Sequence, residues 1–281
     1  MSMHLKRWLT ALVAGPLVVA IIYASSDLFF ASFICIVSIL ALYEYYSIVF
    51  ADHPDSVFSI TYVSGFVAAC VIVFAAMPGR FDIICLATSG MLIFAGACSL
   101  VGYRTDASLF DRVLKQVLGI VYIPLTLSFI VVIRNGHNGS NWVLLLFFLV
   151  FLGDTGAFYS GRFFGRHKLL PMVSPGKTVE GAAGGMLATV LVGSVINFFF
   201  PALPWGMAMK RLPWMTTLMF FVVVSIVSQA GDLFESTMKR DAGIKDSGAI
   251  FPGHGGILDR IDALLFAIPV VYLFKEYVFA A

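Results

Sequence analysis

Apolar runs of membrane-spanning length follow one another from Trp8 almost to the C-terminus, and they limit what this chain can fold into. A helix needs about 20 mostly apolar residues to cross a bilayer, where every backbone N–H and C=O must be satisfied inside the segment. Nine runs fit, over 8–24, 28–50, 57–77, 82–102, 114–133, 142–161, 180–200, 214–236 and 260–279. Short polar or Gly/Pro connectors part them, such as ADHPD at 51–55 and RNGHNGSN at 134–141. Hydrophobic residues make up 60% of the chain and charged ones 12%. Soluble domains carry roughly 25% charged residues, so no water-soluble fold could hide this much apolar surface. The expected fold is an all-α integral membrane protein of about nine transmembrane helices.

Lys and Arg collect in cytoplasmic loops. A cytoplasmic N-terminus puts thirteen of the 18 Lys and Arg on the cytoplasmic side and five on the other. The reverse topology breaks the rule. The first run lacks a small-residue cleavage site and is expected to be a first transmembrane helix, not a removed signal peptide. The net charge of +2 gives no case for nucleic acid. Cys35, Cys70, Cys85 and Cys98 all lie in apolar runs without a CxxC pair, as small buried or lipid-facing side chains do.

The chain divides by character into 1–140, spans with sparse polar connectors, and 141–281, the expected catalytic region. The stretch 151–262 holds eight of the 16 acidic side chains and two long cytoplasmic loops. No convincing internal repeat is present, which weakens a secondary-transporter reading.

Four segments could carry chemistry. In FLGDTGAFYSGRFFGR, 151–166, Asp154 sits inside an apolar run. A carboxylate there is costly and faces protein or a wet cavity; the plain alternative is a hydrogen bond to a neighbouring helix. In SPGKTVEG, 174–181, GlyLysThr invites a P-loop reading, but Pro171 stands where that motif needs glycine. Lys177 and Thr178 in a tight Ser-Pro-Gly turn can still hold a phosphate, or can belong to an ordinary positive-inside loop. GAAGG at 181–185 suits close helix packing. In SQAGDLFESTMKR, 228–240, helical spacing puts Asp232, Glu235, Ser236, Lys239 and Arg240 on one face, as a site or an internally paired stripe. In MKRDAGIKDSGAIFPGHGGILDRID, 238–262, five glycines and Pro252 let the backbone turn tightly and approach a ligand. Asp259 and Asp262 then enter the last run three residues apart.

These carboxylates gather near the cytoplasmic ends of three runs, with Lys177, Lys239, Arg240, Lys245 and Arg260 around them. An oxygen-rich set with no Cys and few His favours Mg²⁺ over Zn²⁺. A divalent ion among cations suits phosphoryl or nucleotidyl transfer, with one substrate from the bilayer and one from water.

The chain resembles the phosphatidate cytidylyltransferases, or CDP-diacylglycerol synthases. The likeness lies in Ser236, Met238, Lys239, Arg240, Lys245, Asp246, Gly248, His254, Gly255, Gly256, Asp259, Arg260 and Asp262, and in the upstream GDTGA, GR, SPGKTVEG and QAGDL stretches. It covers residues 150–265; one departure is Gly176, where many members carry Lys. The resemblance implies that CTP and phosphatidic acid give CDP-diacylglycerol and pyrophosphate with Mg²⁺, and a K⁺ beside it. It also implies a homodimer in the inner (cytoplasmic) membrane, its site facing the cytoplasm. Asp232 and Asp259 are then the best metal ligands, with Asp246 and Asp262 next and Asp154 as a ligand or the holder of one. Lys239, Arg240 and Asp246 join Asp232 and Asp259 as catalytic candidates. Lys177, Thr178, Ser236, Lys245, Gly255, Gly256 and Arg260 are candidates for binding CTP or the lipid phosphate, and His254 either contacts phosphate or shapes the loop. A polyprenol kinase or an ether-lipid cytidylyltransferase would look alike in these motifs. An ion-coupled transporter using Asp154 and Asp232 as a relay predicts polar groups nearer mid-membrane. CDP-alcohol phosphotransferases are set aside, because their signature opens with AspGly and none occurs here.

Overall fold

The computed structural model describes residues 15–51, 60–102, 109–199, 213–248 and 255–279. They are almost entirely helical. In order they form α1 (Gly15–Ala24), α2 (Asp27–Val49), α3 (Ile60–Ala75), α4 (Phe81–Gly102), α5 (Leu109–Ile120), α6 (Thr126–Asn135), α7 (Gly139–Phe164), β1 (Lys168–Leu170), β2 (Ser174–Thr178), α8 (Val179–Phe199), α9 (Trp214–Asp241) and α10 (Leu258–Leu273). Where they are described, the nine apolar runs are helical apart from a few residues at their ends. Among the described residues, six helices are long and apolar enough to cross a membrane: 27–49, 81–100, 110–135, 139–164, 179–199 and 214–241. Large apolar side chains stand exposed on them, Ile93 at 72% and Leu100 at 80% among them, as lipid-facing positions require. The chain is a multi-pass membrane protein.

Two compact units make up the chain. The first holds residues 1–135 and 241–260. Its helix α2 starts at Ser26, whose hydroxyl accepts from the Phe29 N–H and caps the helix. Near its other end Tyr46 packs edge-on to Tyr62 of α3, with ring centroids 4.8 Å apart. The Tyr45 hydroxyl donates to the Lys115 carbonyl of α5 at 2.9 Å. Between α5 and α6 the helix widens into a π turn, Val121–Leu125, around Pro124. Proline brings no N–H to the ladder, and the looser turn absorbs the missing bond. The Arg134 guanidinium, at the end of α6, pairs with Asp27 and lies 5.4 Å from the Phe30 ring, so it ties α6 to the start of α2. All four cysteines are free thiols, with Cys35 and Cys70 sulfurs 3.6 Å apart.

The second unit holds residues 136–240 and 261–281. Its centre is the α7–α8 pair. A Cβ at Gly156 would collide with Ala188, one at Gly184 with Ser160, and one at Gly185 would lie 2.9 Å from Ala157 Cβ. The GAAGG segment thus packs closely, as its sequence suggests. Phe220 of α9 packs against Trp142 of α7 at 6.0 Å and against Phe274 at 5.1 Å. A small antiparallel hairpin departs from the all-α expectation: β1 and β2 pair with Lys168 opposite Thr178 and Leu170 opposite Ser174. Ser174, Pro175 and Gly176 run along β2, so they are strand and not the expected tight turn. The hairpin is pinned from α8. The Glu180 carboxylate accepts from the Arg166 N–H at 3.0 Å, the His167 N–H at 3.2 Å and meets His167 Nδ1 at 2.6 Å.

Candidate active site

Within the second unit, three helices and the hairpin bring charge to one place. Helix α9 passes α10 so closely at Gly231 that a Cβ there would sit 2.6 Å from the Asp262 carbonyl. Only glycine allows that approach, and it carries Asp232, the next residue, to α10. Lys177 reaches over from β2, and its ammonium meets Asp232 Oδ2 at 2.6 Å. Asp154 of α7 feels the charges of Asp232 and Lys177. Asp262 feels those of Asp232, Asp154 and Lys239. Three aspartates from three helices therefore share one electrostatic neighbourhood with a lysine from the hairpin.

The rest of the α9 stripe is partly self-paired. Lys239 closes on Glu235, one turn earlier, and Glu235 is fully buried. Ser236 is half-buried, while Arg240 is exposed and its Nε donates to the Val173 carbonyl at 3.0 Å, next to β2. The Thr178 hydroxyl accepts from the Gly181 N–H at 3.1 Å and caps α8. Gln229 of α9 donates to the Ala182 carbonyl at 3.2 Å, joining α9 to α8 one turn before Asp232.

Within the first unit, the glycine-rich loop folds on two carboxylates. Asp259 Oδ2 accepts from the Gly256 N–H at 2.8 Å and the Ser247 N–H at 3.0 Å. Gly255 has φ +80°, and a Cβ there would collide with Asp259 Oδ2. The second carboxylate is Glu44 of α2, to which the sequence reading gave no role. It accepts from the Leu258 N–H at 2.8 Å, the Ile257 N–H at 3.0 Å and the Ser247 hydroxyl at 3.1 Å. The expected close approach of loop backbone to a ligand is thus, in part, an approach to the protein's own carboxylates. A lone glutamate inside an apolar run was the signal available for Glu44, the same one that flagged Asp154. Lys245, Asp246 and Arg260 are exposed. His254 lies outside the described residues.

Among the described residues, no group of three or more His, Cys, Asp or Glu is close enough to cage a metal unaided. The donor chemistry around Asp232 still fits a hard divalent ion. The acidic groups are carboxylates only, and the Lys177 ammonium on Asp232 shows that this point accepts a cation. Mg²⁺ is usually held by one or two carboxylates with water and substrate phosphate completing its shell.

The chain belongs to the cytidylyltransferase family, whose members it matches over residues 5–278. It is 39% identical over 154 residues to a phosphatidate cytidylyltransferase of Staphylococcus haemolyticus, covering 55% of each chain. A phosphatidate cytidylyltransferase of Bacillus subtilis is 36% identical over 164 residues, 58% of each chain. The chain thus spans a little over half the length of the curated relatives it matches.

Proposed function

We propose that the protein is a CTP:phosphatidate cytidylyltransferase, making CDP-diacylglycerol and pyrophosphate from CTP and phosphatidic acid. The observation that carries the reading is the Lys177–Asp232 ion pair, with Asp154 and Asp262 within its electrostatic reach, in a chain of this family. The names of the relatives in the Staphylococcus and Bacillus species support the lipid substrate.

In this reading Asp232 and Asp259 would hold Mg²⁺, with Asp246 and Asp262 next and Asp154 as a ligand or the holder of one. When bound, the ion neutralises triphosphate oxygens and leaves the α-phosphorus open to attack. A phosphate oxygen of phosphatidic acid forms the new bond to that phosphorus. The bond to the bridging oxygen breaks, and pyrophosphate leaves with its electron pair. No protein nucleophile is needed, so the side chains position and neutralise. Lys177 exchanges its bond to Asp232 for one to phosphate. Lys239, Arg240 and Arg260 spread the developing charge, and Ser236, Lys245, His254, Gly255 and Gly256 border the nucleotide. The finer topology belongs to the same proposal: nine spans, a cytoplasmic N-terminus, a site facing the cytoplasm, and a homodimer in the inner membrane.

The test is turnover by the purified protein in detergent with labelled CTP, phosphatidic acid and Mg²⁺. CDP-diacylglycerol with equimolar pyrophosphate, lost in EDTA and restored by Mg²⁺, is the expected result. No nucleotide transfer to phosphatidic acid under these conditions would overturn the reading.

A further inference from the structure

We propose that Glu44 is a positioning residue of this reaction: from α2 it sets the junction of loop and helix that carries Asp259. The proposal rests on the cytidylyltransferase reading. Glu44 is 3% exposed in a helix of spanning length, where an unpartnered carboxylate would be costly. Its partners are particular. Ile257 immediately precedes α10 and Leu258 is its first residue, and their N–H groups have no intrahelical carbonyl to meet. Glu44 therefore caps α10 from a helix more than 200 residues away in sequence, and its negative charge suits a helix N-terminus.

A relay then reaches Asp259. The Ser247 hydroxyl donates to Glu44 Oε2 and accepts from the Asp259 N–H at 3.4 Å, while the Ser247 N–H donates to Asp259 Oδ2. Glu44 thus sets Ser247, and Ser247 sets both the backbone and the side chain of Asp259. The loop is also shaped around this carboxylate. A Cβ at Gly248 would lie 2.9 Å from Glu44 Cδ, and one at Gly256 would lie 2.6 Å from it. Glu44 is enclosed by these groups and acts through Asp259.

Glu44→Gln separates positioning from packing, because it keeps the volume. Oε1 accepts from Ile257 and Oε2 from Leu258, so either amide orientation turns an NH₂ group toward a backbone N–H. The variant is compared with wild type and with Ile34→Ala, a packing control in the same helix, for melting temperature, kcat, KM and amide exchange. We expect a melting temperature above that of Ile34→Ala and a kcat at least ~30-fold below wild type, the size of effect seen when a group that orients a ligand is lost. KM for phosphatidic acid should stay within about threefold, since the effect is on chemistry and not on uniform binding. Exchange at 255–260 should rise without metal or substrate. Ser247→Ala should lower kcat in the same way, and the double variant should be no worse than the worse single one. Wild-type kcat and wild-type exchange in Glu44→Gln would overturn the proposal, as would a kcat that falls only in step with melting temperature. If wild-type protein fails to convert phosphatidic acid, the enzymatic reading falls. The exchange data then still decide whether Glu44 holds the junction.

Discussion

At the scale of single residues, the site depends on how charges in an apolar chain find partners. Asp232 sits beside Lys177 and among two further aspartates, so its charge matters more than its shape. Asp232→Asn keeps the volume and should lower kcat on the order of 10²–10³-fold, the cost of removing one electrostatic contact to the transition state. Melting temperature and elution volume should match wild type; full activity would remove Asp232 from the proposed metal site. Lys177→Met should instead raise KM for CTP about tenfold or more, a loss of one charge-assisted bond to phosphate; an unchanged KM would assign Lys177 to structure alone. Asp154, Asp232 and Asp262 were legible in the sequence because a carboxylate at the edge of an apolar run needs a reason. Glu44 carried the same mark, but its partners at 247, 257 and 258 lie far along the chain, and sequence does not show which distant backbone N–H groups a carboxylate will meet. The self-pairing of Lys239 with Glu235 was open in the spacing, which cannot tell an internal pair from a ligand.

At the scale of elements, helices were legible and the hairpin was not. Long apolar runs bounded by Gly, Pro and polar residues leave a chain in lipid few choices but helix. The segment 168–178 has no strand-like alternation, and its strands hold because Glu180 and Thr178 at the start of α8 fasten both ends. Glu180→Ala should therefore loosen the hairpin and misplace Lys177. The expected signs are faster proteolysis near 166–178 and lower affinity for CTP, with α7 and α8 intact by circular dichroism; protease resistance like wild type would refute the link. The α7–α8 pair makes the opposite demand. Gly185→Val puts a branched side chain against Ala157 and the Gly153 carbonyl, 2.9 and 3.0 Å from where its Cβ must stand. Overpacking of this kind costs ~1–3 kcal/mol, to be read as a lower melting temperature in detergent. An unchanged melting temperature would mean that the helices part easily.

At the scale of the whole molecule, orientation has the most consequence for the proposed reaction, because it decides which compartment would supply the nucleotide. Asp246 is exposed in the glycine-rich loop and Asn138 lies in the connector before α7. In a cysteine-free background, a membrane-impermeant maleimide should label Asp246→Cys in inside-out vesicles and Asn138→Cys in right-side-out ones. The reverse pattern would invert the topology.

The tie between Glu44 and the loop also bears on how the protein is made. Its partners lie 203, 213 and 214 residues further on, so α2 leaves the ribosome long before they exist. Until α10 enters the bilayer, α2 carries a carboxylate with no donor from this loop. Chains cut short before Ser247 should be recognised as unfinished and degraded, while full-length chains persist.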